Sequence, residues 1–186
     1  GAGTSISSAF SSFDGGRRDV IRYDSPALGP VTVAVSIGNN SRWSVGGFAS
    51  TSLGGGELSA ALGYTDTGGT STTIDDQFSG SLSYLFSQGT SITGGYGSAD
   101  RTAAGSDPDS YYLKLGHQWG SHAVSIHYSE SQDVSAVGED NTMWGLGWVY
   151  TMRKDIELYA GYNNYDLDRA GSDDVDVVVM GTRVKF

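Results

Sequence analysis

The chain contains no cysteine. That excludes disulfide scaffolds and structural thiolate metal sites, and it fits a periplasmic route without proving one. Proline is scarce, with three in 186 residues. No apolar run approaches the roughly 18 residues that a membrane-crossing helix needs; the longest is 177–180. Helix signals are nearly absent, because no 3.6-residue periodicity is sustained and glycine interrupts almost every window. The opening residues, Gly1-Ala2-Gly3-Thr4-Ser5-Ile6-Ser7-Ser8, have no basic region and no apolar core, so no signal peptide is expected. Export would require a leader already removed, or a sequence that begins mid-protein. Basic charge is also short. A formal net charge of −10 argues against nucleic acid as a partner and is equally at home on a soluble acidic protein or on acidic surface loops. No Gly-x-Ser-x-Gly, His-Glu-x-x-His or phosphate-binding loop occurs.

What is present is glycine (28 residues), abundant serine and threonine, and an aromatic set of 11 Tyr and 4 Trp. The mean hydropathy of −0.26 resembles that of a soluble protein. A transmembrane β-barrel gives the same value, because only alternate residues of each strand meet lipid. Alternating segments predict eleven strands: 18–25, 31–38, 42–51, 57–66, 76–86, 90–99, 111–119, 122–131, 142–152, 156–165 and 175–186. In the last of these, Val178, Met180, Thr182, Val184 and Phe186 share one face, while Arg183 and Lys185 take the other. The connectors alternate in kind. Short turns at 27–30, 52–56, 87–89, 120–121 and 153–155 alternate with longer polar or acidic loops at 67–75, 100–110, 132–141 and 166–174; 39–41 is the short exception. Short turns at one rim and long loops at the other are the pattern of an up-and-down outer-membrane barrel.

The aromatics fall into two rows. Tyr64, Tyr96, Tyr128 and Tyr162 lie near the long loops, and Tyr84, Phe86, Trp119, Trp148, Tyr150 and Phe186 near the short turns. Rows of this kind flank a lipid-facing band about 25 Å tall, since amphipathic rings favour the two interfaces. The alternative is that they fill the core of a soluble β-sandwich. Parity assigns the faces: Leu58, Ala60, Leu62 and Tyr64 outward with Glu57, Ser59, Ala61 and Gly63 inward, and Trp144, Leu146, Trp148 and Tyr150 outward with Gly145 and Gly147 opposite. The inward faces are therefore expected to be small and hydroxylated. The fold class predicted is all-β, a transmembrane antiparallel up-and-down barrel. Eleven strands leave an unpaired edge, which lipid does not tolerate, so either the count is off by one or further strands precede.

The segment Phe13-Asp14-Gly15-Gly16-Arg17-Arg18-Asp19-Val20-Ile21-Arg22-Tyr23-Asp24-Ser25-Pro26, followed by Ala27-Leu28-Gly29, resembles a stretch of the Gram-negative general diffusion porins. In that family an infolded loop narrows the lumen and an Arg-rich strand follows it. The terminal Phe186 likewise looks like the sorting signal of outer-membrane barrels. The resemblance implies that residues 1–16 end the infolded constriction loop and 17–186 form barrel strands. It also implies that these are the last eleven of sixteen strands, in a homotrimer of the outer membrane that contacts lipid and lipopolysaccharide.

Function on this reading is passive diffusion of ions and small hydrophilic solutes, with no cofactor and no specific metal site. Selectivity then rests on lumen charges. Arg18, Arg22 and Asp24 are the constriction candidates that the resemblance supports; the competing reading makes Arg22 and Asp24 one ion pair bracing the wall. Lys114, Glu157 and Arg183 have inward parity as further pore-lining candidates. Asp107, Asp109, Asp133, Glu139, Asp140, Asp173 and Asp174 could bind divalent cations or bridge lipopolysaccharide phosphates through them, but they match no EF-hand and fit solvated charge better. Asp75-Asp76 and Asp173-Asp174 with His117, His122 and His127 hold the residue types of an outer-membrane protease. Parity and rim position scatter them, so no enzyme is expected. The alternative is a complete barrel of ten or twelve strands serving as an adhesin or structural anchor.

Overall fold

The computed structural model describes residues 9–10, 13, 19–68, 74–102, 105–134, 136–168 and 174–185. Eleven antiparallel strands form one sheet in strict chain order: β1 (Val20–Asp24), β2 (Val31–Gly38), β3 (Trp43–Leu53), β4 (Gly56–Asp66), β5 (Ile74–Leu85), β6 (Thr90–Arg101), β7 (Asp109–Trp119), β8 (His122–Gln132), β9 (Asp140–Arg153), β10 (Ile156–Leu167) and β11 (Val175–Val184). Every strand pairs with its sequence neighbours, so each connection is a hairpin. The predicted strands are all found, with ends displaced by no more than about two residues except where frayed ends are common.

The short turns hold the strand register by glycine. Gly89 adopts φ +86°, and a Cβ there would stand 2.4 Å from the Gln118 carbonyl oxygen of the next hairpin. A side chain would therefore collide as well as strain the backbone. Gly89 N–H closes its own turn on the Phe86 carbonyl, and its carbonyl accepts from Gln118 N–H. One residue thus joins two adjacent hairpins.

Register carries one parity around all eleven strands. Arg22, Ser36, Ser44, Thr65, Gln77 and Ala99 form one cross-strand row, and Thr93, Lys114, His127, Gly145 and Asn163 another. The opposite face carries Ile21, Leu62, Leu113, Leu146 and Met180, all exposed. Ile21 and Met180 reach 83% and 76%. Large apolar side chains standing uncovered in rows, strand after strand, are far beyond the patches of a soluble monomer.

Aromatic rings edge this apolar face. On the loop side Trp43 meets Tyr64, Tyr96 meets Tyr111 and Trp144 meets Tyr162, with ring centroids 5.1–5.4 Å apart. On the turn side Trp119, His122 and Tyr150 stack in sequence, Trp148 packs beside them, and Tyr84 meets Phe86 edge-on. Tyr111 and Trp119 on β7 are eight residues apart, about 27 Å along the strand.

The other face is the inner one. Phe13 packs on Gly97 of β6, where a Cβ would lie 2.5 Å from its ring, and the Phe10 ring meets Tyr165 of β10 edge-on at 5.8 Å. Ala9, Phe13, Ala99, Ser131, Asn141 and Leu167 are buried. One cavity of about 570 Å³ is lined by residues from Arg22 on β1 to Tyr112 on β7, together with Phe13. Seven strands sharing one cavity means the sheet curls around it as part of a barrel.

Candidate pore wall

Small and hydroxylated side chains dominate the inner face on β2 to β6, as parity predicts. Ser36 and Ser44 share a hydrogen bond of 2.5 Å across β2 and β3, Ser50 and Ser59 one of 3.2 Å, and Ser83 and Thr93 one of 2.9 Å. Farther round, Ser110 and Ser131 meet at 2.9 Å. Each pair satisfies its neighbour while leaving lone pairs or protons for water, so the wall is wettable without bearing charge. The expectation of uniformly small residues needs correction, however. Phe48, Tyr112, Tyr159 and Tyr165 share the inner parity, as do Val175, Val177 and Val179. Tyr165 is used to seat Phe10. Tyr159 crosses Gly181, whose Cβ would lie 2.5 Å from the phenol oxygen.

Charged groups on this face are few and mostly paired. Arg22 Nη2 donates to Asp24 Oδ1 at 2.7 Å, and Nε donates to Oδ1 and Oδ2 at 3.0 and 3.1 Å. Residues two apart on a strand share a face, so β1 presents a guanidinium–carboxylate pair rather than two separate charges. Both side chains stay more than half exposed, and Arg22 lines the 570 Å³ cavity. The two readings of this pair are therefore compatible: it is an ion pair, and it lies on the inner face. At the turn side Glu157 accepts from Lys185 Nζ at 2.7 Å and from Arg183 Nη1 at 3.2 Å. Two cations on one carboxylate leave that cluster with one excess positive charge. Lys114 lies on the inner face and forms no ion pair among the described residues. Arg18 and Phe186 lie outside the described residues, as does Asp173.

Two features were not reached from the sequence. Arg101, on the inner parity of β6, donates through its guanidinium to the Asp133 carbonyl, and its backbone N–H donates to Asp107 Oδ1 at 2.9 Å. It thereby ties the β6–β7 loop to the β8–β9 loop. The second is a contact between His127 on β8 and Asn163 on β10, 3.1 Å across Gly145 on the strand between them. The only signal for it is that Gly145 shares their row.

Among the described residues, the candidate catalytic groups are not brought together. His117 bonds Thr90 and stacks on Trp119, and His122 stacks on Trp119 and Tyr150, all on the outer face at the turn side. Asp76 pairs with Asp66 and Asp100 at the loop side.

A curled up-and-down sheet with an apolar, aromatic-edged exterior and a hydroxylated, sparsely charged interior defines a transmembrane β-barrel wall of the porin class. The sequence bears this out: it matches the family of Gram-negative porins over residues 1–170, and the chain belongs to that family. Its place is accordingly the outer membrane. Among solved structures it is similar to the anion-selective porin from Comamonas acidovorans (19% identity, TM-score 0.69, 90% of this chain and 59% of that one). It is also similar to Pseudomonas aeruginosa OccK10 (15% identity, TM-score 0.68, 89% and 60%) and to a loop-deleted OmpT of Vibrio cholerae (16% identity, TM-score 0.63, 93% and 65%). At these identities the likeness establishes the fold. The chain spans about three-fifths of the length of the first two of these structures. No curated protein matches it at the same significance.

Proposed function

We propose that this chain forms one side of a water-filled outer-membrane pore through which ions and small hydrophilic solutes diffuse passively. The observation that carries this reading is the continuity of the inner face. On β2 to β6 it offers mainly hydroxyls, glycines and a few fixed charges, and although Phe48 and the Val175–Val179 row share that face, most of the large exposed apolar side chains are on the other side. A closed core would need the reverse. Arg22 with Asp24, Lys114, Glu157 and Arg183 are the fixed charges that would bias passage, with Arg18 joining Arg22 and Asp24 at the constriction. Residues 1–16 would belong to the infolded loop that narrows the pore, and Phe10 and Phe13 seated on the inner face support that reading. The protein acts as a conduit and not as an enzyme. Family resemblance supports a homotrimer held in lipid and lipopolysaccharide.

The test is swelling of lipid vesicles containing the full-length protein in isotonic solutions of sugars of increasing size. The reading requires swelling that slows steadily as the sugar grows. Vesicles that swell no faster than protein-free ones, with the protein shown to be inserted, would sink it.

A further inference from the structure

Of the three histidines, His117 and His122 sit among the rings of the outer face. His127 alone has inner parity, in the row Thr93, Lys114, His127, Gly145, Asn163. Its cross-strand partner on β7 is Lys114. Partners in an antiparallel ladder hold their Cβ atoms about 5 Å apart. On the other side, Gly145 leaves room for a contact that a side chain there would push apart. A Cβ there would lie 2.0 Å from Asn163 Oδ1 and 2.7 Å from the His127 ring. Through that gap His127 Nε2 meets Asn163 Oδ1 at 3.1 Å. The amide oxygen can only accept, so Nε2 carries the proton and Nδ1 is left for another partner. The Tyr112 ring stands 6.3 Å from the imidazole and closes one flank.

Among the described inner-face residues of the neighbouring strands, no carboxylate answers these groups. Within β6 to β11, Glu157 is the one described inner-face acid, and Arg183 and Lys185 already hold it. It lies six residues from Asn163 along β10, about 20 Å away and beyond the screening length of about 10 Å at 0.1 M salt. The titratable groups that face His127 from the neighbouring strands are Lys114 and Tyr112 on β7 and, farther along β10, Tyr165 and Tyr159; β9 offers Met143, Gly145 and Gly147.

We propose that Lys114, His127 and Asn163 form a binding station for anionic solutes on the pore wall, with a charge that rises when His127 takes up a proton. The inference rests on the diffusion-pore reading and assigns that pore a selectivity element. Two cations placed directly opposite each other in a ladder repel. An anion lying between the ammonium and the imidazolium relieves that repulsion and accepts a hydrogen bond from each. Asn163 holds Nε2, leaving Nδ1 outside that contact. Histidine is the side-chain type that changes charge between about pH 5 and 8, so one proton takes the station from one positive charge to two.

The experiment is planar-bilayer recording of the full-length protein in a KCl gradient, with chloride as the probe anion and the reversal potential read from pH 8 to pH 5. The expected result is a rise of about twofold or more in chloride-to-potassium permeability on acidification. His127→Gln should remove most of that step. Lys114→Gln should lower the chloride preference at both ends of the range while leaving the step in place. A step in His127→Gln as large as in the wild type would overturn the assignment. Failure to see any conductance steps from inserted protein would instead refute the diffusion-pore reading.

Discussion

Placing one arginine at Leu62 and one at its neighbour Ala61 tests the assignment of faces within a single strand. Leu62 lies mid-way along β4, 58% exposed, between Gly47 of β3 and Gly80 of β5. It covers Gly80, whose Cβ would lie 2.8 Å from Leu62 Cδ2. In lipid its replacement by arginine costs about 2–4 kcal/mol if the site is near the bilayer midplane, and less toward either interface. At about 1.4 kcal/mol per tenfold, the folding equilibrium should fall by roughly 30- to 1000-fold. Ala61 points to the other side, opposite Phe48 and Ser81, and lines the 570 Å³ cavity. An arginine there keeps its head in water and should cost about 1 kcal/mol or less. Reversible guanidinium unfolding of the full-length protein in phospholipid vesicles reads both. Equal costs, or a larger cost at Ala61, would refute the face assignment and with it the inner wall described above.

Asp24→Asn leaves the Arg22 guanidinium without its carboxylate, so chloride permeability relative to potassium should rise in bilayer recordings with little change in folding, as expected of an exposed pair. Glu157→Gln should act in the same direction by releasing Arg183 and Lys185. Gly145→Ala places a methyl 2.0 Å from Asn163 Oδ1 and 2.7 Å from the His127 ring; both are ends of side chains that can swing aside, so the variant should break the His127–Asn163 contact while unfolding in vesicles changes by no more than about 1 kcal/mol. Tyr84 donates to the Leu53 carbonyl at 2.6 Å on the turn-side rim, and Tyr84→Phe should cost about 0.5–1.5 kcal/mol in the same assay.

Much of the wall could be read from alternation alone, because a one-residue period error would have moved Leu62 inward and Ala61 outward. The strand count, the hairpin order and the two aromatic edges follow from the same rule. Parity likewise placed Lys114, Glu157 and Arg183 on the inner face. What alternation cannot supply is distance across strands. His127 and Asn163 are 36 residues apart, and their contact depends on register through a third strand and on a glycine between them. The Arg22–Asp24 pair was visible as one of two readings, since spacing sets the shared face but not the rotamers. Phe48, Tyr112 and Tyr159 faced inward against the expectation of a small-residue lining. Glycine on the neighbouring strand makes room for Tyr159, as Gly181 shows, and size alone does not reveal such an arrangement.

The central claim is that the hydroxylated face borders the solute path and the apolar face does not. These 186 residues hold no cysteine, so single thiols placed at Ser81 and at Leu82 in an otherwise cysteine-free full-length protein can be compared under a charged, membrane-impermeant thiol reagent during bilayer recording. The account predicts that modifying Ser81→Cys reduces the current through open channels, while Leu82→Cys in lipid stays unreactive and the current holds steady. Block at Leu82→Cys with none at Ser81→Cys would contradict it.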